Sequence, residues 1–125
     1  ALEETGLLDT SYFMYTEEID LCYRLHLKGW TLYWVPQSRI VNLGGQSTRQ
    51  DALKMFLHLY SSKVQFFRKH YGERSARSYK RVLKFTSGIR LALTSIGSAV
   101  RPQNRRYYQQ LRRNYENLIA SLPTM

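Results

Sequence analysis

The sequence predicts a mostly helical α+β chain: an acid-bearing helix, two short strands, and about three basic amphipathic helices after them. Three observations carry this. Apolar residues from Leu53 onward recur at helical spacing. Thr31-Leu32-Tyr33-Trp34-Val35 is instead β-branched and aromatic, bounded by Gly29 and Pro36, which is the pattern of a strand. Charge then divides the chain. Residues 1–50 carry four Lys/Arg against six Asp/Glu and residues 51–125 carry fifteen against three, so the net +10 comes from the second part. We read an acidic site in 1–50 and a basic helical extension in 51–125.

The acid helix comes first. Thr16-Glu17-Glu18-Ile19-Asp20-Leu21 follows the aromatic run Tyr12-Phe13-Met14-Tyr15 and places three carboxylates within four positions. At about 100° per residue these acids do not share one face. Asp20 has Arg24 four residues on, a favourable helix pair worth roughly 0.2–0.5 kcal/mol. Glu17 and Asp20 also lie in the first turn, where the helix dipole favours negative charge. Glu18 falls on the side of Leu21, Cys22 and Leu25. Buried there it would suit a proton acceptor working near neutral pH; if that face is incomplete it is a solvated helix-start residue. Periodicity leaves both readings open.

Arg39-Ile40-Val41-Asn42-Leu43 reads as the second short strand, running into Gly44-Gly45, where the backbone can turn tightly. Ser47-Thr48-Arg49-Gln50 has the form of a capping box, and Asp51 adds negative charge to the same helix start. A helix over about 51–70 follows, carrying Leu53, Phe56, Leu57, Tyr60, Val64 and Phe67 at helical spacing, with Gly72 as its stop. A second runs from Glu73 to Val100. On it Arg74, Arg77, Lys80, Arg81 and Lys84 lie opposite Tyr79, Val82, Phe85 and Ile89, while Gly88 and Gly97 weaken it and mark Gly88 as a place for a break. Pro102 ends it. A third, about 103–121, presents Tyr107, Leu111, Tyr115 and Leu118 on one side.

Three uses compete for the basic helices. An anionic membrane surface would attract the Lys/Arg while an apolar stripe enters the headgroup region. A solvated face used for helix packing or self-association is the plainer reading, and ranks level with the membrane. Nucleic acid ranks third, because no helix-turn-helix, zinc or ribonucleoprotein motif accompanies the charge. The single Cys22 allows no internal disulfide and fits a reducing, cytoplasmic setting. The run Ile89 to Val100, interrupted by Arg90, is far short of the roughly 18–20 apolar residues that span a bilayer. His26, His58 and His70 have no paired metal-ligand spacing.

The order Gly-Leu-Leu-Asp-Thr-Ser-Tyr-Phe-Met-Tyr-Thr-Glu-Glu-Ile-Asp-Leu-Cys-Tyr-Arg, then Lys-Gly-Trp, Val-Pro and Gly-Gly-Gln-Ser, resembles the second half of the catalytic domain of family 2 glycosyltransferases, nearest the rhamnosyltransferase-like branch. The likeness covers about the first 50 residues closely. Phe66-Phe67-Arg68-Lys69-His70-Tyr71-Gly72 resembles the end of the helix that follows in that family. The resemblance implies a GT-A half-domain over 1–50 that serves the acceptor side. It implies Glu18, where the family usually has aspartate, as the general base taking the acceptor hydroxyl proton. Asp20 is the alternative base or the structural partner of Arg24. Tyr15 and Trp30 read first as core and second as lining for an acceptor sugar.

The implied partners are a nucleotide-diphosphate sugar and a glycan or lipid-linked acceptor, at the inner face of the membrane. The implied cofactor is a divalent cation, magnesium or manganese, with most of its ligands in a nucleotide-binding half. That half is not found in these residues, which contain no Gly-rich phosphate loop and no D-x-D. The chain alone is therefore expected to be inactive as a transferase. Where the family often has a metal-binding histidine before Gly-Gly, Asn42 stands, and it is not assigned as a ligand. The rival reading is a basic interaction module that binds membrane or nucleic acid or self-associates, with the acidic stretch as a structural cap.

Overall fold

The computed structural model describes residues 1–41 and 51–125, and its regular structure is helical throughout those residues. Helix α1 spans Leu2–Thr5, α2 Glu17–Leu27, α3 Ala52–Val100 and α4 Arg105–Ser121, with a 3-10 turn at Pro102–Asn104 before the last. Two compact units divide the chain, residues 1–62 and residues 63–125.

The two strands expected of a GT-A half-domain are absent among the described residues. Thr31–Val35 forms none, and Tyr33 and Trp34 are 84% and 88% exposed. The residue types were right for a strand, but strand propensity is expressed only where another strand takes up the backbone N–H and C=O groups. No described segment pairs with this one, so a β-branched aromatic run stays irregular. Ile40 and Val41, in the described part of the second expected strand, are likewise exposed. Asn42 to Gln50, which include the rest of that strand, the Gly-Gly pair and the expected capping box, lie outside the described residues.

In the first unit, α1 packs on α2, and Tyr12, Leu25 and Met55 form a small buried core. Asp51 caps α3: its Oδ1 accepts the Lys54 N–H at 3.0 Å, satisfying one of the orphan donors of the first turn. The start of α3 closes over the segment before α2. Ser62 Oγ donates to the Met14 carbonyl at 2.8 Å, and the rings of Phe13 and His58 lie 4.7 Å apart.

In the second unit α3 is interrupted at Gly72, the stop expected from sequence, where φ is 79° and ψ 174°. Such a φ favours glycine, which has no Cβ to clash. Phe67 and Tyr79, on either side of this bend, stack with ring centroids 4.6 Å apart. No break occurs at Gly88, through which α3 continues. Val64, Ala76, Leu83, Tyr115, Leu118 and Leu122 are the buried apolar residues here, and full burial of Leu118 contributes about 1.5–3 kcal/mol. Gly97 has a specific use. A Cβ there would come within 2.6 Å of the Tyr108 ring, so the missing side chain is what lets that ring approach.

Candidate active site

The acid helix starts from a strained turn. Tyr15 and Thr16 have φ of 68° and 75°, the left-handed region, which costs a non-glycine residue roughly 1–2 kcal/mol. Thr16, β-branched and 3% exposed, is the N-cap residue of α2, yet its hydroxyl makes no capping bond and finds no partner among the described residues. One carboxylate oxygen of Glu17 is buried in the same way. Strain of this kind persists only where the surroundings over-determine the backbone. Here they are the Ser62 to Met14 bond below, the Phe13 and His58 contact beside it, and the bond from the Asp20 N–H to the Thr16 carbonyl at 2.8 Å.

Asp20 is fully buried. A buried carboxylate needs compensation, and its donors include Arg24 and Tyr12. Arg24 Nε donates to Oδ2 at 2.7 Å, and the Tyr12 hydroxyl lies 3.3 Å from Oδ1. The same guanidinium donates from Nη2 to the Leu7 carbonyl at 2.7 Å and from Nη1 to the Thr5 carbonyl. Arg24 thus ties the chain after α1 to α2 with its remaining N–H groups, while Asp20 neutralises it from within. At the far end of α2 the Trp30 indole N–H donates to Glu4 at 3.1 Å, and Lys28 Nζ donates to the Glu4 carbonyl.

Tyr12 titrates well above an ordinary tyrosine. Burial is the main cause; the Asp20 charge, the hydrogen bond to it and the Asp9 charge add to it, and Arg24 opposes it. The sign follows from linkage. Above about pH 10 the unfolded chain gives up this proton while the folded chain holds it, so stability falls as pH rises. Urea titrations between pH 9 and 11 should show this alkaline loss, and Tyr12→Phe should flatten it. An equally steep loss in Tyr12→Phe would place its source elsewhere.

Glu18 is placed differently from its neighbours. It is exposed, on the first turn of α2, and the apolar face read for it is incomplete because Cys22 is exposed too. It forms no hydrogen bond or ion pair with the described residues. Of the three acids in the first turn, Asp20 is buried and ion-paired, Glu17 has one buried oxygen, and Glu18 is accessible, two residues before Asp20. Trp30 is 44% exposed, and Tyr15 is half-buried. Among the described residues no group of three or more His, Cys, Asp or Glu side chains could hold a metal ion, so they do not by themselves fit a divalent cation.

Sequence reasoning found the Asp20 and Arg24 pair from its spacing. It missed Tyr12 as the second donor, the carbonyls that Arg24 gathers, and the strained Tyr15-Thr16 turn. The aromatic run before the acids was the only available signal for Tyr12.

No protein-family model matches the chain, and no solved structure matches it. Curated relatives do. The N-acetylglucosaminyl-diphospho-decaprenol L-rhamnosyltransferase of Mycobacterium tuberculosis is 31% identical over 109 residues, which are 85% of this chain and 34% of that protein. Rhamnosyltransferase WbbL of Escherichia coli K12 is 42% identical over 55 residues, 43% of this chain and 21% of that protein. The chain spans about a third of the length of the mycobacterial relative. These relatives bear out the resemblance read from the sequence.

Proposed function

We propose, from the premise that this chain is homologous to rhamnosyltransferases, which are family 2-like glycosyltransferases, that it supplies the acceptor-side part of an inverting sugar transferase. Glu18 is the general base. Its carboxylate takes the proton of an acceptor hydroxyl as that oxygen attacks the anomeric carbon of a nucleotide-diphosphate sugar; the bond to the diphosphate breaks and the nucleotide leaves with its electron pair. Asp20 positions rather than reacts. Held by Arg24 and Tyr12, it fixes the first turn of α2 on which Glu18 stands. Trp30, and Tyr15 in the strained turn, line the acceptor side.

The observation that carries this reading is the pairing of an accessible Glu18 with a buried, ion-paired Asp20 in the stretch that resembles the transferases. The acceptor is a glycan or a lipid-linked sugar at the cytoplasmic face of a membrane, by analogy with the decaprenol-linked substrate in the mycobacterial relative's name. No described helix is long and apolar enough to cross a membrane. A divalent cation, magnesium or manganese, belongs to the proposal for the natural protein. The 125-residue chain alone is expected to be inactive, since it amounts to a third of a relative's length.

The test is to titrate nucleotide-diphosphate sugars, with magnesium or manganese, into the natural protein that carries this sequence, and then to follow sugar transfer. Saturable binding of one donor, with transfer to a lipid-linked acceptor, is expected. No binding of any donor would overturn the reading and leave the basic helices as the functional part.

A further inference from the structure

We propose that the outward face of residues 82–100 is a docking surface for an anionic lipid bilayer. It rests on the transferase reading only for the reason a membrane would be near; the surface itself stands on the second unit alone.

Val82, Phe85, Ile89, Leu93, Ile96 and Val100 follow one another at intervals of three or four and fall within about 80° of one another on the helix. Every one of them is exposed, Phe85 and Val100 at 70%. The side of the helix that is buried carries Ala76, Leu83, Ser87 and Thr94 instead. This helix therefore buries mostly small and hydroxyl-bearing residues and presents its large apolar ones outward. A monomer in water rarely leaves such a stripe bare, and a contiguous one marks a contact site.

Charge identifies the occupant. Residues 63–125 hold fourteen Lys/Arg and two Asp/Glu. Of the basic residues on the far side of this helix, Arg74 and Arg81 come within about 40° of Phe85, at one edge of the stripe towards its N-terminal end, with Arg77 and Lys84 farther round. Both acids are engaged, Glu73 by Arg68 at 2.8 Å and Glu116 by Arg112 at 2.7 Å. A second copy of this unit would bring like charge against like, with no uncommitted carboxylate to answer it. Nucleic acid would neutralise the arginines but leave the apolar stripe in water. A bilayer with anionic headgroups satisfies both, accepting the apolar side chains below the headgroups and supplying phosphates to the cations beside them. At the Gly72 bend an open groove of about 400 Å³, lined in part by Tyr71, Arg74, Tyr79 and Val82, adjoins the start of the stripe. It sets a guanidinium and two tyrosines where a headgroup would lie.

The experiment is cosedimentation of the 125-residue chain with vesicles of phosphatidylcholine containing phosphatidylglycerol, and with phosphatidylcholine alone. Binding to the anionic vesicles, weakened by salt, is expected. The double variant Phe85→Asp, Leu93→Asp should lose it by at least about tenfold with an unchanged melting curve, because both side chains are already exposed. Arg81→Glu with Lys84→Glu should remove the preference for anionic lipid. Equal binding to both vesicle types, no binding, or undiminished binding by the stripe variant would overturn the proposal. So would a dimer in sedimentation that the stripe variant dissolves while vesicles are ignored, which would assign the stripe to a second copy. No sugar enters this assay. Failure here with sugar transfer intact removes only the docking surface, whereas vesicle binding without transfer removes only the transferase.

Discussion

Glu18→Gln in the natural protein is expected to lower kcat for sugar transfer by about 10²–10⁴-fold, the usual contribution of a positioned proton acceptor. Its unfolding midpoint should not move. The two outcomes separate because of where the side chain sits. Glu18 is exposed and bonded to none of the described residues, and a substitution at such a position changes stability by no more than about 0.5 kcal/mol. Glutamine keeps the length and shape of glutamate and lacks only the ability to hold the proton. A fall in kcat with unchanged folding is then a statement about chemistry. Near-normal transfer by a soundly folded variant would falsify the base assignment and move attention to Asp20. Donor affinity, measured in the same preparation, should be unchanged, since the proposal gives Glu18 no contact with the nucleotide.

The part of this site legible in the sequence was local. An aspartate four residues before an arginine, on a helix opened by acids, predicts the Asp20 and Arg24 pair, and the pair forms at 2.7 Å. What that spacing does not contain is burial. Asp20 is at 0% exposure, and its partner Arg24 also reaches the carbonyls of Thr5 and Leu7, contacts that lie seventeen or more residues away in sequence. Two segments show the same limit in opposite directions. Thr31–Val35 has the composition of a strand and forms none among the described residues, since pairing is a property of two segments. In the second unit, periodicity located the apolar stripe Val82, Phe85, Ile89 but ranked a packing face level with a membrane surface for it. The structure packs the side with Ala76, Leu83, Ser87 and Thr94, mostly small residues, which let helices approach closely, and Gly97 meets Tyr108. Periodicity reports that a face is apolar; it does not report what lies against it.

Asp20→Ala is expected to cost about 3–5 kcal/mol of folding free energy, the scale seen when one partner of a buried ion pair is removed. A solvent-exposed pair at the same spacing would contribute only about 0.3–0.5 kcal/mol, so the prediction rests on burial and not on the pairing itself. The Arg24 side chain is 18% exposed; without Asp20 its charge stays inside with only carbonyl partners, and the Tyr12 hydroxyl loses the acceptor it has in Oδ1. Asp20→Asn should cost less, about 1–3 kcal/mol, since an amide oxygen can still accept from Arg24 or Tyr12 but brings no charge. Equilibrium unfolding in urea gives both numbers, and the double variant with Arg24→Met tests their origin. If the loss comes from stranding a cation, removing that cation should recover part of it. If Asp20→Ala costs under about 1 kcal/mol, the pair behaves as a surface pair and the site lacks the rigid base proposed for it. The order of the effects also matters for function: Asp20→Asn, folded but less firmly held, should reduce transfer less than Glu18→Gln, because it disturbs the placement of the accepting carboxylate without removing it.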